Sequence, residues 1–167
     1  MVLELSALLR KPVKTVQSQL LGSVDAFAID GDRLHLAGFQ ILKKGLLKKF
    51  SALAIDDVVS LSRDAVVVDS QSDLSEEMKP FDEINHRYGR VIGVAAKTES
   101  GKQLGRVSDL LIEAETGLVI RFYLRRVLTE RIIPRQFVVS VSPRQVVFKD
   151  IVDTPIFDQL ATSDATA

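Results

Sequence analysis

Laid against itself, the chain repeats. Lys14-Thr15 recurs as Lys97-Thr98 and Leu21-Gly22-x-Val24 as Leu104-Gly105-x-Val107, all at one spacing of 83 residues (98 − 15 = 105 − 22 = 83) and without a gap. Past a glycine turn the residue matches shift to a spacing of 86 (117 − 31 = 86), pairing Gly31 with Gly117 and Leu34 and Leu36 with Ile120 and Phe122. Further on, Val58-Val59-Ser60 matches Val138-Val139-Ser140 at 80 (138 − 58 = 80). The shifts fall in turns and loops, where an insertion disturbs few buried backbone bonds. Each copy is small, so each is marginal alone and gains from packing against its neighbour or another chain.

The second copy is the easier to read. Ser100-Gly101 is a turn signal, since glycine takes positive φ without a Cβ clash, and the apolar run from Val107 to Ile112 is extended in character. Glu115-Thr116-Gly117 supplies the next turn. Beyond it Leu118, Ile120, Phe122 and Leu124 alternate with Val119, Arg121, Tyr123 and Arg125, the period of a strand with one buried face. In the first copy Phe27 and Ile29 project to one side, Asp30-Gly31 makes a tight hairpin, and Leu34 and Leu36 return on the inner face. Gly38, aligned with Leu124 at the longer spacing, marks a bulge or bend. Val58, Val59 and Leu61 with Val66-Val67-Val68 form a closing hairpin; its partner is Phe137 to Phe148, turning at Ser142-Pro143-Arg144-Gln145.

A turn glycine, Leu-Gly-x-Val-x-Asp, an apolar strand, a glycine hairpin and a closing pair of Val-rich strands run from Gly101 through Phe148. This pattern resembles the PRC-barrel family of small all-β domains. Gly101, Gly105, Asp109 and Gly117 carry the resemblance, with Gly22 in the first copy. The first copy departs from the motif, with Gln17-Ser18-Gln19 in place of Ser100-Gly101-Lys102 and Ala26 in place of Asp109, so its membership rests on spacing. The resemblance implies an all-β chain of two small PRC-type barrels in tandem, over residues 1–70 and 88–152. An acidic linker with a short helix, 71–87, joins them, and a short helix with a frayed tail follows at 153–167. It also implies a non-catalytic module that docks onto larger assemblies. Relatives help assemble a membrane electron-transfer complex or bind a ribosomal protein, but the chain shows neither the membrane helix of the one nor the extra domain of the other, so only the docking role is expected to carry over. A carboxylate at Asp109 is expected to fix a turn by accepting backbone amides rather than to act as acid or base.

The connecting segments differ in character. Ser6 caps a helical turn over Ala7 to Leu9 before Pro12 ends it. Ser70 to Arg87 is acidic and polar; Asp73 followed by Glu76 reads as a helix start, which Pro80 limits to about two turns. Asp153-Thr154-Pro155 opens a short helix through Ile156, Phe157 and Leu160, and Ala161 to Ala167 should fray. The unusual stretch is Gln40 to Phe50, six residues longer than its counterpart by these spacings (86 − 80 = 6). Lys43, Lys44, Lys48 and Lys49 are set there among Leu46, Leu47 and Phe50, which are expected to be exposed. The lysines either guard a sheet edge or meet an anionic membrane surface, RNA or an acidic protein. Arg125, Arg126 and Arg131 stand at the matching place in the second copy, as though both copies presented one positive surface.

Several chemistries are excluded. The absence of cysteine removes disulfides, thiolate catalysis and Cys-ligated zinc, and is compatible with the cytoplasm. The amino terminus lacks the charged start and apolar core of a signal peptide, and no run is long enough to cross a bilayer, so a cytoplasmic protein, or one peripheral to a membrane, is expected. Zero net charge, no Trp and only two Tyr weigh against a nucleic-acid platform, and there is no DNA-recognition motif. His35 and His86, the two histidines, lack the spaced ligands of a metal site, and no phosphate loop or nucleophile elbow is present. The chain is expected to be no enzyme and to need no cofactor or metal. Its expected partners are proteins of a larger assembly, bound through an edge strand, with an anionic membrane or RNA as the alternative.

Overall fold

The computed structural model describes residues 1–164, with side chains through Leu160. β1 (Val2–Glu4) stands apart; the remaining strands sort into two matching sets. The first contains β2 (Pro12–Thr15), β3 (Leu20–Asp30), β4 (His35–Lys43), β5 (Phe50–Ala54), β6 (Val58–Leu61) and β7 (Val66–Val68), paired in the order β5-β4-β3-β2-β7-β6. The second contains β8 (Ala95–Thr98), β9 (Gln103–Glu113), β10 (Val119–Arg126), β11 (Thr129–Pro134), β12 (Val138–Val141) and β13 (Gln145–Phe148), paired in the order β11-β10-β9-β8-β13-β12. The orders are identical, down to the parallel pairing in each, β2 with β7 and β8 with β13. The fold is therefore predominantly β, in two sheets. Among the described residues no backbone ladder joins β5 to β6 or β11 to β12, so each sheet is open in its hydrogen bonding.

The registers agree as well, and they correct the spacing read from sequence. Val24 pairs with Ile41, Phe27 with Phe39 and Ile29 with Leu36; Val107 pairs with Leu124, Leu110 with Phe122 and Ile112 with Val119. Each residue lies 83 from its counterpart (107 − 24 = 124 − 41 = 119 − 36 = 83). The spacing does not lengthen at the hairpin: Leu36 corresponds to Val119 rather than Phe122, and Gly38 to Arg121 rather than Leu124. Matching glycine with glycine chose Gly31, whereas the shared property is backbone conformation. Leu34 takes φ 52° where Gly117 takes φ 75° (117 − 34 = 83). A left-handed leucine costs about 1–2 kcal/mol, and burial of the Leu34 side chain offsets it. The spacing then drops to 80 between β4 and β5, since Phe39 pairs with Leu53 and Phe122 with Ile133 (133 − 53 = 80). The first copy's loop is thus three residues longer (83 − 80 = 3), not six.

The shared Leu-Gly-x-Val has a steric cause. A Cβ on Gly22 would collide with the Leu42 carbonyl oxygen, and one on Gly105 with the Arg125 carbonyl oxygen, the same contact in each copy. Neighbouring backbone comes too close there for any side chain.

The sheets meet at their hairpin tips. His35 and Leu118 form an antiparallel bridge in which the Leu36 amide donates to the Gly117 carbonyl at 2.8 Å and the Val119 amide to the Leu34 carbonyl at 2.9 Å. Residues 34, 35 and 36 are the counterparts of 117, 118 and 119, so the bridge joins like to like across a pseudo-two-fold axis. β1, which the repeat allots to the first copy, pairs with β9 of the second, Leu3 opposite Ile112. Asp109 accepts hydrogen bonds from the Ser6 amide at 3.0 Å and from the Ser6 hydroxyl, holding the turn Leu5–Leu8 that follows β1. The turn that Asp109 holds belongs to the opposite copy. Buried apolar side chains from both copies, including Leu3, Leu5, Phe39 and Phe122, make one continuous core.

Two helices complete the chain. α1 (Lys79–Tyr88) carries Pro80 in its first turn instead of being cut short by it, because the first turn needs no amide donor from that residue. The start predicted at Asp73 is a separate 3-10 turn, Gln71–Asp73, in which Ser70 and Asp73 cap each other. α1 buries Phe81 and Tyr88, and the Tyr88 hydroxyl donates to Asp32 at 2.7 Å, clamping the first hairpin tip. α2 (Pro155–Asp164) opens at its proline as expected but continues past Leu160, where fraying was expected; the predicted tail at 165–167 lies outside the described residues.

Ser18, at φ 67°, occupies the turn position of Gly101, at φ 91° (101 − 18 = 83). Ser18→Gly is expected to raise stability by about 1 kcal/mol and Gly101→Ser to lower it by a similar amount. Urea unfolding reads both; midpoints unmoved by either change would contradict the equivalence of the two turns.

Candidate functional site

The basic residues singled out in the sequence end up at the far ends of the two hairpins. Lys43 closes β4, and its ammonium pairs with Glu76 at 3.2 Å. Lys44, Lys48 and Lys49 lie in the loop to β5, with Lys48 placed over the Phe50 ring at 5.4 Å. Arg125 and Arg126 end β10, followed by Val127 and Leu128, which are almost fully exposed. The antiparallel bridge at His35 and Leu118 sends β4 and β10 off in opposite directions. From the bridge each runs eight steps (43 − 35 = 126 − 118 = 8), on the order of 25 Å of chain at strand rise. His35 itself serves the junction, its Nε2 hydrogen-bonded to the Thr116 carbonyl. Of the structural glycines, Gly22 and Gly105 mark the close strand approach, and Gly101 and Gly117 the left-handed turns.

A groove that sequence reasoning missed lies along β11. It encloses about 740 Å³ between β9, β10, β11 and the start of α2. Leu104 and Leu124 give it an apolar floor, and Lys102, Arg121, Arg126 and Arg131 set four cations around it against Glu130, Asp153 and Asp158. Lys102 and Arg131 both reach Asp153, Arg131 at 3.7 Å, and the Arg131 guanidinium also donates to the Val152 carbonyl at 3.0 Å. The hydrogen bond from Lys102, reinforced by the two positive charges, holds the Asp153 carboxyl below the ordinary carboxylate range. Arg121 and Arg126 have no ion pair among the described residues. The groove was invisible because its walls come from segments that look ordinary one at a time; only the strand order brings Lys102, Arg126 and Asp153 together.

No group of three or more potential metal ligands gathers among the described residues. No helix among them is long and apolar enough to cross a membrane. Neither a protein-family model nor a curated protein matches the chain.

Asp153 makes the groove wall sensitive to acid. Its folded value is lowered, so its pairing stabilises the fold fully above the ordinary value of 3.8 and is lost as pH falls through the lower folded value. On acidification below about pH 4, amide resonances of residues 152–154 and 131 should move further in the native protein than in Asp153→Asn, where the remaining movement is that of Asp150, which holds the Ser100 amide. Equal movement in both would show that Asp153 does not hold this wall.

Proposed function

We propose that the protein is a non-catalytic docking module of the PRC-barrel type, two such barrels in tandem, which binds a protein of a larger assembly through its outer surface. The observation that carries this reading is the duplicated strand order, with its parallel closing pair in each copy, around an interior filled by the chain's own side chains. A small β-barrel packed solid has no room for a substrate, so its work falls to edges and loops. In this reading side-chain packing closes each barrel across β5 and β6, and across β11 and β12. The setting is the cytoplasm, for which a cysteine-free chain is suited.

A second reading has one observation in its favour. Leu46 and Leu47 project into solvent, at 106% and 71% exposure, between Lys43-Lys44 and Lys48-Lys49. Exposed leucines flanked by ammonium groups match an anionic bilayer surface, where both gain, better than RNA, where the leucines gain nothing.

One affinity experiment separates the two. The tagged full chain is expected to retain a defined protein from cell extract in salt high enough to screen surface charge and after nuclease treatment. Loss of that protein in high salt, together with co-sedimentation on anionic vesicles that Leu46→Ser and Leu47→Ser abolish, would replace the docking reading with the membrane one.

A further inference from the structure

We propose that the outer edge of β11 is the docking site, and that it takes an extended acidic segment of a partner protein as an added antiparallel strand opposite Ile132. The proposal rests on the docking-module reading and gives it a place and a ligand chemistry.

The first copy already shows the edge at work. Ala52 of β5 exchanges both backbone hydrogen bonds with Ser75, each at 2.8 Å, so residues of the linker lie on the sheet as a short extra strand. The register carries Ala52 onto Ile132 (132 − 52 = 80), as the pairings of Gln40 with Ala52 and Tyr123 with Ile132 confirm. It also carries past the last strand: the Leu74 amide donates to the Gln71 carbonyl as the Thr154 amide does to that of Ile151. Ser75 therefore corresponds to Pro155 (155 − 75 = 80). Proline has no N–H to give an edge strand, and the chain turns there into α2 instead. The amide and carbonyl of Ile132 that would pair outward have no backbone partner among the described residues, and the residue is 42% exposed.

The space matches this loss. In the first copy, residues 74–77 divide the corresponding region into hollows of about 170 and 300 Å³; in the second, where no described residue bridges the β11 edge, it is the single groove of about 740 Å³. The chemistry of the occupant follows from the same template. Leu74 packs against the core next to Leu21, the counterpart of Leu104 on the groove floor (104 − 21 = 83). Glu76 pairs with Lys43, the counterpart of Arg126 (126 − 43 = 83), which lines the groove with no ion pair among the described residues. The segment that fits has an apolar residue just before the one that bridges Ile132 and an acidic residue just after it.

The probe is a synthetic peptide of residues 72–77, Ser-Asp-Leu-Ser-Glu-Glu, titrated into the isotope-labelled full chain. Saturable shifts are expected at residues 129–133. Ile132→Pro removes the outward amide without touching the β10 ladder and should weaken binding about tenfold, as should N-methylation of the peptide at its second serine, which leaves the protein unaltered. Arg126→Glu should weaken binding several-fold, and a peptide with lysine for its first glutamate should restore it. Shifts absent from β11, shifts confined to the lysine loop, or a concentration-dependent dimer pairing this edge without peptide would each overturn the proposal. If Ile132→Pro still captures the cellular partner at the native level, this site falls and the docking reading stands.

Discussion

Everything in the molecule is arranged about the backbone bridge between His35 and Leu118. Two hydrogen bonds are a small energy in themselves, of the order of 1 kcal/mol net each. Their effect is geometric. Because the bridge pairs each hairpin tip with its own counterpart, it sets a two-fold relation between the sheets, and further contacts close around it. Gly31 packs against Tyr88 and Val141, Gly117 against Ile55, and the Arg135 guanidinium donates to the Arg33 carbonyl at 3.0 Å. Two units each too small to be comfortable alone thus share a continuous core.

A duplicated scaffold does its distinctive work where the copies differ. The scaffold strands repeat in order, register and bulge position, including the shift after Val24 and its counterpart after Tyr123 on the partner strand. The differences lie in the segments that flank them. Before the second copy the chain forms α1, which covers β3; before the first it forms β1, which crosses to β9. After the first copy it lays residue 75 on the edge of β5; after the second, a proline at the same step sends it away from β11. The open edge is thus an asymmetry imposed on a symmetric frame.

Much of this frame was legible in the sequence. The constant spacing of 83 was visible because Leu-Gly-x-Val answers a steric demand that only glycine meets, so the same letters recur. The hairpin was misaligned because a left-handed turn residue can be a leucine if burial compensates, and Leu34 does not look like Gly117. Ser18 and Arg10 hide the same equivalence with Gly101 and Gly93. The groove on β11 was harder. Its one sequence signal was that the spacing of 80 continues past the Val-rich strands to set Ser75 against Pro155, and its meaning depends on a hydrogen bond that no residue name announces. The lysine loop had the reverse problem: a conspicuous run of charge, one of whose members is already paired with Glu76.

The two-fold junction is tested most directly by a cross-link at its centre. His35 and Leu118 face each other as a non-hydrogen-bonded antiparallel pair, the position where Cα atoms come to about 4.5 Å and a disulfide closes without backbone movement. With both replaced by cysteine in this otherwise cysteine-free chain, mild oxidation should give one intramolecular disulfide, rapidly and in nearly full yield, and the folded protein should resist urea better than its reduced form. Thiols that stay free in the folded protein, or that link only between molecules, would contradict the account.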